Sequence, residues 1–107
     1  MKSVIAAALL ACLAAPAFGQ SVPKLNYKAT CDGTPPVGMD KKATVDSCMS
    51  DEKGAQAQLP AVWAKATKAS RNLCLAETTQ GGLPSYVELI TCLQGENILG
   101  QLGPDGQ

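Results

Sequence analysis

Apolar residues after Asp40 recur at the spacing of a helical face, and no stretch alternates apolar and polar residues as a strand does. In the first stretch they lie three, four, ten and fourteen positions after Val45, at Cys48, Met49, Ala55 and Leu59. Asp40 or Thr44 is suited to cap the start of this helix, because each side chain accepts hydrogen bonds from free backbone amides. The charged run Asp51-Glu52-Lys53 is expected to lie largely off the apolar stripe.

Two residues complicate this first helix. Gly54 weakens its middle by up to about 1 kcal/mol relative to alanine. Pro60 cannot donate a backbone hydrogen bond inside a helix, although it is well tolerated in a first turn. The helix therefore either ends near Leu59 or bends there and continues past Trp63.

Two further helical regions are predicted after Pro60. The second helix runs from Val62 to about Glu77, with a break between Thr67 and Ala69 as an alternative. The third helix opens at Ser85, where Ser85-Tyr86-Val87-Glu88 matches a capping box. In that motif the serine hydroxyl accepts from the N3 amide, and the glutamate reaches back to the serine amide. The buried stripe of the third helix is expected at Tyr86, Leu89, Ile90 and Leu93.

The two ends of the chain are predicted to be irregular. Residues 20–40 contain three prolines and two glycines, so only a short extended piece near Tyr27 is expected there. Residues 98–107 carry three glycines and a proline and are expected to be disordered. The helical domain then occupies residues 41–97. The predicted fold class is all-α, a small disulfide-stapled bundle of three short helices with an irregular N-terminal segment.

Residues 1–19 have the pattern of a secretory signal peptide. Lys2 supplies a positive charge, an apolar run extends from Val4 to Phe18, and Ala17-Phe18-Gly19 forms a small-x-small cleavage site. Cleavage there would leave Gln20 as the new N-terminus and place the protein in the periplasm or outside the cell. An uncleaved membrane anchor is the alternative, but the run is shorter than the roughly 20 apolar residues that a span needs.

Cys12 introduces a second alternative for the N-terminus. The segment Leu9-Leu10-Ala11-Cys12 loosely resembles a bacterial lipobox, whose cysteine is acylated and holds the protein on a membrane. Only a short apolar segment precedes Cys12, and the apolar run continues beyond it to Phe18. Cys12 is therefore interpreted as part of the cleaved signal.

Four cysteines remain after the signal: Cys31, Cys48, Cys74 and Cys92. An even number in a short exported chain indicates a disulfide framework. The cysteines are separated by 16, 25 and 17 residues, whereas zinc and thioredoxin-like redox sites favour pairs with two residues between them. The four cysteines are therefore predicted to form two structural disulfides.

Pairing in sequence order, Cys31 with Cys48 and Cys74 with Cys92, is favoured because the turn from Thr79 to Leu83 should make the second and third helices antiparallel. The levels of Cys74 and Cys92 would then differ by about 6 Å, near the limit for a disulfide. A link between Cys48 and Cys92 would suit a bundle nearly as well.

Composition excludes several classes of function. Loss of Lys2 from the nine basic residues leaves eight against nine acidic ones, without the positive surface that nucleic-acid binding needs. The chain contains no histidine, which removes the usual general base, Ser-His-Asp triads and histidine metal sites. Accordingly, no catalytic, cofactor-binding or metal-binding residue is assigned, and the four cysteines are the assigned site residues.

Carboxylate chemistry stays as an alternative. Glu77 and Glu88 flank the glycine pair Gly81-Gly82 and could approach each other across a helical hairpin, as two-carboxylate hydrolysis requires. Glu88 already has a predicted capping role, and nothing else singles this pair out as catalytic.

Two other motifs have both a functional and a structural interpretation. Lys65, Lys68 and Arg71 recur near Trp63, as in a membrane-surface helix, but the helix has little apolar bulk. A solvated basic face with Trp63 packed inward is therefore favoured. The pair Gly81-Gly82 before a helix is able to cradle an anion, but no phosphate-loop lysine follows, and a tight turn is favoured.

Three segments together resemble a family of short exported proteins of alphaproteobacteria. The first is Cys48-Met49-Ser50-Asp51-Glu52, the second comprises Leu59 to Trp63 and Arg71 to Cys74, and the third is Gly81 to Leu93. Ile90 replaces a leucine of the family pattern, and Pro60 is unusual within it. The resemblance covers residues 48–94 and implies family membership and export without implying an activity.

The sequence thus predicts an exported, non-enzymatic binding or envelope-stress protein whose partner is another protein or an envelope component. A carboxylate-dependent hydrolase and a lipid-anchored membrane-surface protein are the alternatives. No cofactor and no nucleic-acid partner are expected.

Overall fold

The computed structural model describes residues 21–101, which contain four α-helices and no β-strand. The helices are α1 (Tyr27–Asp32), α2 (Lys41–Lys65), α3 (Lys68–Gln80) and α4 (Tyr86–Gln101). The all-α, disulfide-stapled fold predicted from the sequence is confirmed, with one additional short helix. The predicted signal peptide, Cys12 and residues 102–107 of the predicted tail lie outside the described residues.

The additional helix α1 lies in the segment that was expected to be irregular. A helix of six residues is not stable alone, because the free-energy cost of nucleating it exceeds the gain from the few hydrogen bonds that it forms. Tertiary contacts hold it: Cys31 is bonded to Cys48, and the Thr30 hydroxyl donates a 2.7 Å hydrogen bond to the carbonyl of Pro84. Tyr27 also packs against the core. The sequence pattern missed α1 because its stabilising partners lie far along the chain.

Helix α2 runs through Pro60 and continues past Trp63, which decides between the two alternatives for this segment. Asp40 caps its start, and the Asp40 side chain accepts a 2.7 Å hydrogen bond from the amide of Ala43. Leu59 and Trp63 are buried on both sides of the proline. Their packing holds the helix together across the backbone bond that Pro60 cannot make.

The break between the second and third helices falls at Ala66 and Thr67, both of which are extended. The Thr67 hydroxyl caps α3 by accepting a 3.1 Å hydrogen bond from the amide of Ser70. The region predicted from Val62 to Glu77 is therefore divided between α2 and α3. The alternative of a break is therefore confirmed, but it lies at Ala66 and Thr67 and not between Thr67 and Ala69, because α3 already begins at Lys68.

Helix α4 packs against both α2 and α3, and α1 packs against α2. Their shared core consists of Ala55, Leu59, Trp63, Ala66, Cys74, Tyr86, Leu89, Ile90 and Leu93. All four residues predicted to form the buried stripe of the third helix, which is α4 in the structure, belong to this core. Among the helices of residues 21–101, none combines the length and apolarity needed to cross a membrane.

Each disulfide joins two helices that are neighbours in the sequence. Cys31–Cys48 links α1 to α2, Cys74–Cys92 links α3 to α4, and both have a Cα–Cα distance of 5.5 Å. This is the favoured sequential pairing. The expected 6 Å offset does not arise, because the connecting loop comprises residues 81–85. Cys74 therefore lies six residues before the end of α3, and Cys92 lies six residues after the start of α4.

Glycine makes the turn between α3 and α4. Gly82 has φ +77°, in the left-handed region that glycine adopts without steric cost, and its amide donates a 3.2 Å hydrogen bond to the carbonyl of Thr79. The structural interpretation of the pair Gly81-Gly82 as a tight turn agrees with this geometry.

Helix α4 extends to Gln101, so the predicted disordered tail does not begin at residue 98. Gly95 and Gly100 each weaken a helix, but Glu96 and Asn97 are half-buried between them. Packing of those side chains extends α4 beyond the end that the glycines indicate.

Candidate functional site: a buried carboxylate and an adjacent groove

Glu52 lies on the buried stripe of α2, and its side chain is only 3% exposed. The expectation that Glu52 would lie off this stripe is wrong. It stands four residues after Cys48 and three before Ala55, a spacing that keeps all three on one helical face. A buried carboxylate is costly unless it is hydrogen-bonded, so its partners decide its role.

Both oxygens of the Glu52 carboxylate bind the start of α4. Oε1 accepts a hydrogen bond from the Ser85 hydroxyl, and Oε2 accepts a 2.6 Å bond from the backbone amide of Tyr86. Amides in the first turn of a helix have no partner within the helix, and the dipole there favours negative charge. Glu52 therefore caps α4 from another helix and ties α2 to α4 where they meet.

The predicted capping box at Ser85 is only half formed. The Ser85 hydroxyl accepts a 3.2 Å hydrogen bond from the Glu88 amide, as expected. The Ser85 amide instead donates to the Thr78 hydroxyl oxygen at 2.9 Å, so the predicted return bond from Glu88 is wrong. The Thr78 hydroxyl lies 3.2 Å from the Ser85 carbonyl and 3.3 Å from Glu88 Oε2, and either accepts its proton. The buried Thr78 side chain, which is 1% exposed, thus provides the acceptor for the Ser85 amide that the motif assigns to glutamate.

The Tyr86 hydroxyl holds the N-terminal segment against the bundle. It accepts hydrogen bonds from the Leu25 amide at 2.9 Å and from Gln56 Nε2 at 3.4 Å, and it donates to the Pro23 carbonyl at 3.4 Å. The Tyr27 ring packs edge-on against Tyr86, with 5.6 Å between centroids. Tyr86 thus connects α2, α4 and the segment that precedes α1.

The two carboxylates considered for hydrolysis lie elsewhere and are both exposed. Glu88 Oε2 lies 3.3 Å from the Thr78 hydroxyl, and Glu77 Oε2 lies 3.2 Å from Cys92 Sγ. Neither side chain lines the groove between α2 and α4 or the cleft beside the C-terminal end of α4. Within residues 21–101, no three or more His, Cys, Asp or Glu side chains are grouped in a way that could hold a metal ion.

Trp63 is buried, in agreement with the structural interpretation of the basic stretch. The Arg71 guanidinium lies 5.2 Å from the centre of the indole ring, and Arg71 Nε donates a 2.9 Å hydrogen bond to the Trp63 carbonyl. Arg71 is therefore engaged in holding α3 against the end of α2. Lys65 and Lys68 remain on the exposed surface.

An open groove of about 400 Å³ runs between α2 and α4. By helical spacing, Gln56 lies on the opposite side of α2 from the groove residues. Ala55, Val87 and Ile90 provide its apolar surface, and its polar residues are Ser50, Asp51, Gln58 and Thr91. Gly54 completes the lining, and a β-carbon added there would meet no atom within 4 Å. The backbone of α2 is therefore accessible from the groove. The spacing of four residues between Ser50 and Gly54 places both on one helical face, so the sequence carries a signal for this groove besides the weakening of the helix at Gly54.

Fold and site together define a small, disulfide-stapled helical domain whose buried carboxylate is used in its architecture. Comparisons with protein-family models, with curated proteins and with solved structures gave no match to this chain.

Proposed function

We propose that this chain is an exported, non-enzymatic binding protein that acts in the periplasm or outside the cell. Its groove between α2 and α4 binds another protein or an envelope component. Disulfides persist in oxidising compartments, and both bridges of the domain are consistent with such a location. The predicted signal peptide supports the same compartment.

The observation that carries the proposal is the composition of the groove. An apolar surface with a few polar groups around it is typical of binding sites. Gly54 lets a partner side chain approach the α2 backbone closely, and the exposed Val87 provides apolar surface beside the nearly buried Ala55 and Ile90. Binding here requires no rearrangement of the core.

The alternative of a carboxylate-dependent hydrolase receives less support from the geometry. Glu52 is the most buried carboxylate of the described residues, and the start of α4 occupies both its oxygens. An acid or base catalyst needs an oxygen within hydrogen-bond reach of a substrate proton. Glu52 is therefore better explained as a structural cap.

Family membership is part of the proposal. Two segments that carry the resemblance to short exported alphaproteobacterial proteins meet in space, because Glu52 of the first accepts hydrogen bonds from Ser85 and Tyr86 of the third. The contact gives residues of both segments one architectural role in this chain.

A pull-down from envelope extract with the oxidised protein tests the groove when two glycine variants are compared. Gly54→Leu fills the groove, whereas Gly95→Leu adds the same side chain at another open helical position outside it. Both variants should fold, because leucine forms helices better than glycine. We expect Gly95→Leu to capture the partner as the wild type does. Gly54→Leu should capture at least tenfold less of it. Equal capture by both variants would exclude the groove as the binding surface.

A further inference from the structure

The two cysteines of the disulfide between α3 and α4 differ in their exposure to solvent. Cys74 is fully buried, with 0% exposure, whereas Cys92 is half-buried. A thiolate that attacks this bond must therefore approach Cys92 Sγ. Glu77, three residues after Cys74 on α3, places its Oε2 atom 3.2 Å from that sulfur.

This contact is electrostatic, because a sulfur in a disulfide carries no proton to donate. Exchange begins when a thiolate attacks one sulfur, and negative charge then spreads over the three sulfurs in line. A carboxylate beside the attacked sulfur repels both the incoming anion and the charge that develops during displacement. Two unit charges about 4 Å apart in water repel strongly enough to change a rate roughly fivefold.

We propose that Glu77 protects the Cys74–Cys92 disulfide against thiol exchange by placing a negative charge against its one accessible sulfur. This role is independent of the proposed binding function. It makes the α3–α4 bridge persist in the presence of small-molecule thiols, and most strongly against those that are themselves anionic.

The reaction that Glu77 slows is an ordinary displacement. A monothiol thiolate forms a bond to Cys92 Sγ, the bond between the two cysteine sulfurs breaks, and Cys74 leaves as a thiolate that takes a proton from water. A second thiolate attacks the outer sulfur of the mixed disulfide and releases Cys92 as a thiolate. Two reagent thiols are oxidised to one disulfide for each protein disulfide reduced.

The Cys31–Cys48 bridge supplies an internal reference. It also joins one fully buried cysteine, Cys31, to one half-buried cysteine, Cys48. A change in global stability would accelerate reduction of both bridges, whereas loss of a local charge at Glu77 would accelerate only one.

The test measures the reduction rate of each bridge in the full oxidised protein, by timed alkylation and peptide mass spectrometry. The reagents are 2-mercaptoethanesulfonate, whose thiolate is a dianion, and cysteamine, whose thiolate is accompanied by an ammonium group. For Glu77→Gln we expect roughly fivefold faster reduction of Cys74–Cys92 by mercaptoethanesulfonate, a smaller change with cysteamine, and an unchanged rate at Cys31–Cys48. Glu77→Asp, which keeps the charge, should stay within twofold of the wild type.

Salt provides a second readout, since 1 M sodium chloride shortens the screening length to about 3 Å and should reduce the difference between wild type and Glu77→Gln. Equal rates for wild type and Glu77→Gln at low salt would overturn the proposal. Equal acceleration of both disulfides would overturn it as well, because global opening would then control reduction.

Discussion

Glu52 Oε2 accepts a 2.6 Å hydrogen bond from the backbone amide of Tyr86, across 34 positions of sequence. The bond joins the middle of the longest helix to the first residue of the last one. A charged cap supplied by a different helix serves two purposes, since it satisfies free amides and fixes the distance between the helices. The relationship explains why a carboxylate occupies a core position.

Replacement of Glu52 by alanine should destabilise the domain by about 3 kcal/mol, because it leaves the Ser85 hydroxyl and Tyr86 amide without their acceptor. Glu52→Gln should lose about half as much, since the amide oxygen still accepts one bond. Urea denaturation of the oxidised variants measures both values. Asp51→Ala, at the exposed neighbouring position, is the control and should change the free energy of unfolding little. An alanine variant at position 52 within about 0.5 kcal/mol of wild type would contradict the capping role.

Removal of the Tyr86 hydroxyl should loosen the segment before α1. Tyr86→Phe deletes the acceptor of the Leu25 amide and should cost about 1 kcal/mol. Hydrogen exchange at the Leu25 amide should become faster, while α4 keeps its protection. Tyr27→Phe removes the same atom from the neighbouring ring and serves as the control. Unchanged Leu25 exchange in Tyr86→Phe would show that other contacts hold this segment.

The two disulfides should contribute similar stability but affect different parts of the fold. Each closes a loop of about 17 residues and is expected to contribute about 3 kcal/mol by the chain-entropy relation. In the paired variant Cys31→Ser with Cys48→Ser, circular dichroism should show loss of little more than the six residues of α1. Cys74→Ser with Cys92→Ser should destabilise the α3–α4 hairpin. Large helix loss in the first variant would indicate that α1 organises the whole bundle.

The exported protein should begin at Gln20, as the site Ala17-Phe18-Gly19 indicates. Intact-mass measurement of protein purified from the medium or periplasm determines the N-terminus directly. A diacylated species beginning at Cys12 would instead establish the lipid-anchored alternative.

Local signals in the sequence were sufficient for much of the fold. The cap at Asp40, one of two candidates, the hydroxyl half of the capping box at Ser85 and the buried stripe of the last helix depend on residues within one or two turns of each other, and all three are observed. The antiparallel hairpin at the glycine turn favours the sequential disulfide pairing, which is observed, although a Cys48–Cys92 link suits the sequence nearly as well.

The features that sequence analysis missed depend on distant partners. Helix α1 is held by bonds to Cys48 and Pro84. The sequence leaves two alternatives at Pro60, and burial of Leu59 and Trp63 in the shared core decides for a helix that continues through it. Glu52 could have been placed on the buried stripe by its spacing from Cys48 and Ala55. Its charge argued for the surface, and only the approach of the α4 N-terminus makes burial favourable.

Each covalent bridge closes within its own consecutive pair of helices, and no bridge connects the first pair to the second. In a chain that emerges from a membrane channel N-terminus first, Cys31 and Cys48 can be oxidised before Cys74 has appeared. The first correct bond then forms while few wrong cysteines are available to compete. Docking of Glu52 onto Tyr86 needs the last helix, so the Cys31–Cys48 bridge can close before the two pairs of helices assemble. Under the proposed export, delivery of the chain N-terminus first favours the native pairing among the three that four cysteines allow.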